Sequence, residues 1–445
     1  MAEEKIKKVV HADPTKDFFI RMITRDIKLQ DCIFDLLDNC LDGANRQVSN
    51  LQAAPKDGER YKGYSAEITF NSKQFQIRDN CGGIPLSDAI DYAFRFGRRA
   101  DAPVDVAESI GLYGIGMKRA LFKIGKVIVV NSYTAQEAFS VQIDVVDWAK
   151  KGDWDFDYDD LAKQDRVGTI ITIDDLNDGV SEEFELETFI NSLIREIARD
   201  YSIFLQNGFS VNVNGTKVNP FVFELGEGEH FKPIRIKYAD ELGVDVEIFA
   251  GLAGSPPDDI SPEIRLEKSE YWGWFVLCND RVVIAGNKNE HTVWGDGEFA
   301  SWHPQYNGFM GIVTFRSSDP NKLPWTTTKR DVDLSNPLYR RAVTQMKKAT
   351  TDYLEYTQQR KVDIDKAKQM EKATPRKPLV SLPLRDQMDL PKFAAGRKAR
   401  LVSISYQRPP EKVARAKHSL GNINLSNKAV GEATFDYYYK NEAEG

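Results

Sequence analysis

One stretch of the sequence places several side chains that could do chemistry at helical spacing. Asp35, Asn39 and Asp42 recur at steps of three and four residues, so they share one face of a helix, and Asp38 lies beside them. Two carboxylates and an amide on one face can offer a base, a metal-binding oxygen and a hydrogen-bond acceptor together. Alone, the pattern is equally typical of a solvated acidic face on an ordinary amphipathic helix.

Two glycine-containing motifs follow this helix. Asp-Asn-Cys-Gly-Gly at 79–83 comes directly after a predicted strand and places a fixed acceptor beside backbone that can approach a ligand closely, although a simple turn has the same composition. Gly-Leu-Tyr-Gly-Ile-Gly-Met-Lys at 111–118 precedes an apolar helix, so its N–H groups could face a phosphate. Its spacing matches neither the dinucleotide fingerprint nor the P-loop, and it is weak alone.

The elements that must position these motifs alternate between helices and strands. Apolar periodicity predicts helices from Asp13 and from Asp31, and a later helix over 182–207. Period-two patterns and turn residues predict strands at 66–70, 74–78, 127–130, 138–143, 169–173, 209–213, 217–218, 273–278 and 281–284. A long helix is predicted from Pro337 toward Glu371, and two short helices at 409–419 and 425–440.

Composition limits the class of protein. The chain has 445 residues, 41% of them apolar and 29% charged, which predicts two to three globular domains. No signal peptide or membrane span is expected, and four scattered cysteines without a Cys-x-x-Cys pair predict reduced thiols, so a cytoplasmic location is expected. The five histidines are far apart, which argues against a transition metal held by the protein.

The charge of the chain is unevenly distributed. The net charge is −7, yet sixteen Lys or Arg stand against six Asp or Glu between Arg360 and Leu420. From Ala373 onward several prolines accompany these bases, which predicts an extended basic linker. Such a segment is typical of polyanion binding, and a linker kept soluble by its charge is the alternative.

Four motifs follow one another in the sequence: the helix motif, the 79–83 turn, the 111–118 loop and the Gly168-Thr169 strand. In this order they resemble the GHKL ATPases, which include gyrase-type topoisomerases, ninety-kilodalton heat-shock chaperones, MutL and MORC proteins, and histidine kinases. The resemblance covers roughly residues 13–175. It extends less specifically to about 345, where the Asn279-Asp-Arg281 strand and the Lys329 loop look like the transducer domain of the MutL and topoisomerase branch, so the MutL- and MORC-like branch is closest in pattern.

This resemblance implies an α+β fold in which a sandwich of helices on a mixed sheet precedes an α/β transducer domain. The implied domains are an ATP-binding domain over 1–178, a transducer-like domain over 179–345, a long helix over 346–374, and a basic linker with a small helical segment over 375–445. No counterpart is recognised for residues 376–445.

The resemblance also implies roles for individual residues in binding ATP and Mg²⁺. Asn39 would hold Mg²⁺ through its amide oxygen. Asp79 would accept a hydrogen bond from the adenine amino group with support from Thr169. The other residues implied at the nucleotide are Asp42, Gly83, which would leave room for the base, and the phosphate-binding Gly111, Gly114, Gly116, Met117 and Lys118. Lys329 would reach the γ-phosphate from the transducer domain, and a solvated loop lysine is the alternative.

One position departs from the family pattern. The hydrolytic branches usually place glutamate four residues before the metal asparagine, and this chain has Asp35 there, a carboxylate one methylene shorter. Asp35 is therefore the candidate general base, with Asp38 as an alternative and very slow turnover as another. The sequence predicts ATP binding, and slow hydrolysis after it.

The leading functional hypothesis is an ATP-operated clamp of the MutL and MORC type. ATP would order a lid over 92–117, two protomers would form a homodimer, and the basic tail would bind nucleic acid in microbial DNA maintenance or defence. The alternative is a chaperone-like ATPase that remodels a protein partner. A phosphotransfer kinase is disfavoured because no histidine lies on a helix before the ATP site.

Overall fold

The computed structural model describes residues 14–51, 55–56, 58–97, 110, 114–256, 270–393 and 404–443. The chain divides into two units, Met1–Phe393 and Ala394–Gly445. The α-helices among the described residues of the first unit are α1 (Lys16–Arg25), α2 (Leu29–Ser49), α3 (Leu86–Asp88, continued by a π turn, Ala89–Ala93), α4 (Gly116–Ile124), α5 (Val145–Lys150), α6 (Val180–Phe184), α7 (Glu187–Asp200), α8 (Ser202–Gln206), α9 (Pro337–Arg360) and α10 (Ile364–Ala373).

Most strands of the first unit belong to two mixed sheets. The first sheet has the order β5-β4-β3-β6-β2-β1-β7-β8, and all its neighbours are antiparallel except the parallel pair β1–β7. Its strands are β1 (Ser65–Phe70), β2 (Gln74–Asp79), β3 (Gly125–Tyr133), β4 (Ala138–Asp144), β5 (Tyr158–Asp160), β6 (Gly168–Leu176), β7 (Ser210–Val213) and β8 (Thr216–Lys217). Helices and a mixed sheet in one unit confirm the predicted α+β class.

The second sheet has the order β10-β11-β14-β12-β13, in which only β12 and β14 are parallel. Its strands are β10 (Ile234–Ala239), β11 (Asp245–Leu252), β12 (Gly273–Cys278), β13 (Arg281–Asn287) and β14 (Phe309–Arg316). A separate two-stranded ribbon joins β9 (Glu224–Gly226) to β15 (Arg376–Pro378). Helix α9 packs across this sheet, where Trp274 Nε1 donates to Thr350 Oγ1 at 3.0 Å.

Helix α2 lies in the core of the first unit. The apolar stripe predicted from the sequence is buried, with Ile33, Leu37 and Leu41 each at 0% exposure. The opposite face is not solvated, because Asp35, Asp38 and Asp42 are only 5%, 1% and 8% exposed. Burying three carboxylates is costly unless each finds partners, so this face must belong to a polar site and the solvated-face alternative is wrong.

Two tight hairpin turns join strands that were predicted from the sequence. Asn214 and Gly215 join β7 to β8 with φ of 46° and 78°, and Asn279 and Asp280 join β12 to β13 with φ of 45° and 65°. Two consecutive residues at positive φ are the signature of the tight hairpin turn that suits twisted strands. The second of these turns places Arg281 at the start of β13, which matters for the site described below.

The predicted helices at 182–207 and 337–371 are each interrupted. Leu186 is extended between α6 and α7, and α7 ends at Asp200, followed by Tyr201 with a φ of −112°. Helix α9 stops at Arg360, and Asp363 then caps α10 by accepting from the Lys366 N–H at 3.1 Å. Apolar periodicity continues across such short breaks, so the sequence pattern does not show them.

The segment after α10 is not a free linker. Arg376–Pro378 pairs as β15 with β9, and the backbones of Arg385 and Asp389 pair with Arg235 and Lys232. The Arg385 guanidinium also donates to Glu227 at 3.1 Å. Several bases of the predicted linker are therefore structural, and Pro378, one of the prolines that suggested a linker, lies in β15.

The second unit contains α11 (Pro410–Ser419) and α12 (Asn427–Tyr438), followed by a π turn, Tyr439–Ala443. Both helices were predicted. Among its described residues only Val430 is a buried apolar residue, while Phe435, Tyr437 and Tyr438 are 49%, 72% and 63% exposed. None of the helices described in either unit is long and apolar enough to cross a membrane.

Candidate functional site

The polar face of α2 forms the floor of the candidate site. Asn39 is exposed although its neighbours Asp38 and Cys40 are buried, so its amide is open to a ligand. Within the described residues no group of three histidines, cysteines or carboxylates could hold a metal on its own. An amide oxygen suits Mg²⁺, which commonly takes few protein ligands and the rest from phosphates and water. Asn39 therefore fits a Mg²⁺ ion that arrives with a phosphate ligand.

Asp79 ends β2 beside α2, with its two carboxylate oxygens in different surroundings. Oδ1 accepts the backbone N–H groups of Cys81 at 2.7 Å and Thr169 at 3.3 Å. Among the residues that the structure describes, Oδ2 has the weak thiol donor of Cys40, whose Sγ lies 3.6 Å away. Burial raises the pKa of Asp79, and the two N–H groups oppose that rise. One oxygen is thus fixed by the fold and the other can accept from a ligand.

The glycines near Asp79 allow strands to approach the turn. A Cβ on Gly83 would lie 2.4 Å from the Tyr133 carbonyl oxygen, and one on Gly168 would lie 2.1 Å from the Asp79 carbonyl oxygen. Both residues also have positive φ. Close contact with β3 therefore requires a glycine at position 83. The role that the resemblance implies for Gly83, leaving room for the base, stays a prediction. Thr169 contributes its backbone N–H to Asp79, and its side chain is nearly buried.

The glycine loop leads into α4 next to Asp35. Gly111 lies outside the described residues, as does most of the predicted lid. Gly114 has φ of 64° and Gly116 opens α4, where an added Cβ would lie 3.0 Å from the Asp35 carboxylate. The N–H groups of the first turn of α4 therefore lie close to α2, and the start of a helix offers such groups to a phosphate.

Met117 and Lys118 are both buried in the first turn of α4. Lys118 Nζ donates to the Ala93 carbonyl oxygen at 2.8 Å, so its ammonium is held by the π turn after α3. Burial lowers the pKa of Lys118 to about 7. The structure thus gives Lys118 a partner in the protein, and the predicted phosphate contact would require it to leave that carbonyl.

Asp35 forms a bidentate ion pair with Arg119. The guanidinium donates from Nε to Oδ2 at 2.6 Å and from Nη2 to Oδ1 at 3.0 Å. Burial raises the pKa of Asp35, while Arg119 and the charge of Lys329 oppose the rise. Asp42 has a different contact, because its Oδ1 accepts the N–H of Ile110, the residue directly before the glycine loop, at 2.7 Å.

Lys329 reaches the same helix from the loop that follows the second sheet. It is 6% exposed, and its Nζ donates to Asp38 Oδ2 at 2.8 Å. Burial opposes the charged form, but Asp38 and Asp35 outweigh it and raise the pKa of Lys329, so the ammonium is charged at neutral pH. The alternative of a solvated loop lysine is wrong.

Several residues of this site were not predicted from the sequence. Asp38 Oδ1 accepts from Tyr201 Oη at 2.8 Å and Arg281 Nε at 3.2 Å. Burial disfavours the Asp38 carboxylate, yet Lys329 and Arg281 outweigh it and hold its pKa below the usual range. Arg330 binds Asp31 and Asp200, each at 2.5 Å. The sequence offered one signal for Arg119 and Arg330, which is that they directly follow the predicted site residues Lys118 and Lys329.

Comparison with known families agrees with this geometry. The family model described as Histidine kinase-, DNA gyrase B-, and HSP90-like ATPase matches residues 27–179. The matched region contains α2, the turn after Asp79, α4 and β6, which together carry the site. The match supports the GHKL superfamily for this part of the chain, and with it ATP binding. A search of curated proteins finds no match.

Proposed function

We propose that the protein binds ATP with Mg²⁺, hydrolyses it slowly to ADP and phosphate, and works as an ATP-operated dimeric clamp on nucleic acid. The setting that we propose is microbial DNA maintenance or defence. The observation that carries the nucleotide assignment is Asp79, a carboxylate with one oxygen fixed by two backbone N–H groups and the other left to a ligand. The adenine amino group is a donor of the kind this second oxygen needs.

The phosphate end of the site would lie between α2 and α4. Asn39 would hold Mg²⁺, the start of α4 would offer N–H groups, and Lys329 would approach the γ-phosphate from the second-sheet side. Mg²⁺, when bound, would neutralise phosphate charge and bridge the phosphate oxygens. These three groups come from separate parts of the chain, yet they converge on one face of α2, which supports the proposal.

Hydrolysis would depend on Asp35. Its carboxylate is one helical turn from Asn39, so both project toward the same region. An upward shift of its pKa brings the carboxylate closer to the range in which a general base works well at neutral pH. Asp35 would accept a proton from the attacking water or orient it, and Arg119 would keep the carboxylate in one rotamer.

The clamp part of the proposal is supported by how the two sheets are joined. Buried ion pairs connect α2 to Arg281, the first residue of β13 in the second sheet, and to Lys329 in the loop after that sheet. A γ-phosphate in contact with Lys329 would therefore bind one arrangement of α2 and the second sheet more tightly than another. Such a difference in affinity is the condition for a conformational change driven by a ligand. Dimerisation would then add a second protomer in the ATP-bound arrangement.

The partner would be nucleic acid, bound through the second unit. Residues 394–445 contain nine Lys or Arg and five Asp or Glu, whereas the whole chain is acidic. The chaperone-like alternative is favoured by one observation, the exposed Phe435, Tyr437 and Tyr438 of α12, because such aromatic residues are common in protein interfaces. A steep salt dependence of binding would indicate nucleic acid, and a shallow one a protein.

The nucleotide assignment is tested by calorimetric titration of MgATP into the parent and Asp79→Asn. The amide would keep an oxygen for Cys81 and Thr169, so the variant should fold, but it would turn an N–H₂ donor toward the adenine amino donor. We expect binding to be lost. The matched control is Asp174→Asn, which alters a half-buried residue of β6 whose carboxylate accepts from Gln74 Nε2 at 2.9 Å. This variant should bind normally. Unchanged affinity in folded Asp79→Asn would refute the assignment.

A further inference from the structure

Lys329 is held in an unusual backbone conformation. Its φ is 55°, in the left-handed region that side chains other than glycine seldom adopt. The loop around it is closed by the Trp325–Val332 bridge and by the Thr326 N–H, which donates to Asp331 O at 2.9 Å. Strain of this kind persists only where the surroundings fix it, and it is common at ligand clamps. The Nζ–Asp38 bond is the contact that fixes the side chain.

Asp38 is itself fixed from the opposite side. Tyr201 and Arg281 both bind its Oδ1, leaving Oδ2 for Lys329. The Arg281 guanidinium lies over the Tyr201 ring, 4.4 Å from its centroid, so it is held by the aromatic face as well. All four residues are at most 6% exposed. Asp38 is therefore a carboxylate with a single orientation, and that orientation determines where the ammonium lies.

The same loop contacts α2 at a second point. Arg330, the next residue after Lys329, binds Asp31, which lies seven residues before Asp38. Residues seven apart on a helix share a face. The loop thus binds α2 at two points that are two helical turns apart. The Arg330–Asp31 pair holds the loop on the helix, but it does not provide a counterion for the ammonium of Lys329.

We infer that Asp38 is the positioning residue for Lys329: it holds the ammonium at the phosphate end of the site without touching the nucleotide, and Arg281 and Tyr201 hold Asp38 in turn. This inference rests on the proposed ATP-binding function. Without the Asp38 charge, Lys329 would be a buried, unpaired ammonium, which is strongly disfavoured, so it would leave this position or lose its proton. Because ADP lacks the γ-phosphate, only ATP binding should depend on Asp38.

The test compares the affinities of ADP and a non-hydrolysable ATP analogue, measured by calorimetry with Mg²⁺, in the parent, Asp38→Asn, Lys329→Ala and the double variant. A charged hydrogen bond predicts that each single variant loses about 10- to 100-fold of the preference for the ATP analogue over ADP. ADP affinity should stay at the parent value. The double variant should lose no more than Lys329→Ala alone, since Asp38 acts through Lys329.

The controls separate positioning from general damage. Asp240→Asn is the matched control, because Asp240 binds Arg341 in a bidentate pair at the margin of the second sheet, and it should leave both affinities unchanged. Tyr201→Phe removes one hydrogen bond from Asp38 and keeps its charge, so it should lower the preference less and in the same direction. If Asp38→Asn does not fold, Tyr201→Phe shows whether Asp38 positions the ammonium of Lys329.

Three outcomes would overturn the inference. Losses that add in the double variant would show that Asp38 acts independently of Lys329. A parent-like ATP preference in folded Asp38→Asn, or in Tyr201→Phe if Asp38→Asn is unfolded, would show that Asp38 does not position the ammonium. A parent that binds neither nucleotide would overturn the proposed function as well, so the two failures are distinguishable.

Discussion

Both carboxylate oxygens of Asp35 accept hydrogen bonds from the Arg119 guanidinium, at 2.6 Å and 3.0 Å. This pair joins α2 to α4, the two helices that face the proposed phosphates. A bidentate pair restrains the planes of both groups and is roughly twice as strong as a neutral hydrogen bond. The short side chain of Asp35 is thus fixed by a neighbour, and each oxygen keeps a lone pair for a water molecule.

We expect Asp35→Asn to bind ATP like the parent and to hydrolyse it roughly 10²- to 10⁴-fold more slowly, the usual contribution of a general base. Asparagine is preferred to alanine because it keeps a partner for one N–H group of the buried Arg119. The measurement is phosphate release in a single turnover at saturating MgATP. Asp147→Asn, which alters an exposed carboxylate on α5, is the control. Hydrolysis at the parent rate would show that Asp35 is not the base.

Lys118 should make stability depend on pH. Burial lowers its pKa to about 7 in the folded protein, and the unfolded value is the ordinary one near 10.4. Between these two pKa values the unfolded chain binds more protons than the folded chain, so the free energy of unfolding rises with pH across this window. Below pH 7 the folded protein carries the full cost of burying the charged Lys118 ammonium. Lys118→Met removes the penalty, which is on the order of a few kcal/mol.

The measurement is the difference in melting temperature between Lys118→Met and the parent, without nucleotide, near pH 6 and near pH 9.5. The stabilisation by methionine should be largest at the lower pH and shrink at the higher one. Lys73→Met, in an exposed turn, should give no such trend. A difference that stays the same at both pH values would mean that the Lys118 pKa is not lowered.

Removing residues 394–445 should weaken binding of duplex DNA and flatten its salt dependence, because phosphate contacts by Lys and Arg release counterions. The cut belongs after Phe393, since residues 376–389 pair with the second-sheet region. The measurement is fluorescence anisotropy with labelled DNA over a range of salt. A full-length variant with Lys412, Arg415 and Lys417 changed to glutamine should lose part of the same slope. Equal binding by the truncated protein would exclude this unit as the DNA site.

A non-hydrolysable ATP analogue should shift the protein toward a dimer in sedimentation velocity, because phosphate contacts would favour one arrangement of the site. Asp79→Asn should not respond to the analogue, which links the shift to the nucleotide site and not to crowding or charge. A mass that is constant with and without the analogue in the parent would contradict the clamp.

Local sequence patterns predicted the helices and strands of this fold, and the positions of polar residues on these elements predicted the site. The spacing of Asp35 and Asn39 needs only a helix, and the position of Asp79 needs only a strand followed by a turn. The partners of the buried carboxylates are another matter. Arg119 is 84 residues from Asp35, and Arg281 and Lys329 are 243 and 291 residues from Asp38. Spacing within one element cannot specify contacts at such separation.

The same reasoning explains the segment after α10. Bases and prolines at 376–389 have the composition of a linker, and composition alone does not show that another strand lies open beside them. Glu227 and the backbone of Arg235, which hold Arg385, lie some 150 residues earlier in the chain. Only the tertiary fold shows which bases are structural and which remain for a partner.

The pairing of Arg385 and Asp389 with Arg235 and Lys232 has a consequence for solubility. Strand β10 is one of the two edge strands of the second sheet, and an open edge strand presents unpaired N–H and C=O groups on which another chain can add a strand. The backbone of Arg385 satisfies both the N–H and the C=O of Arg235, each at 2.9 Å. A protein ending before this segment would expose that margin and aggregate through β-strand addition, whatever its affinity for nucleotide.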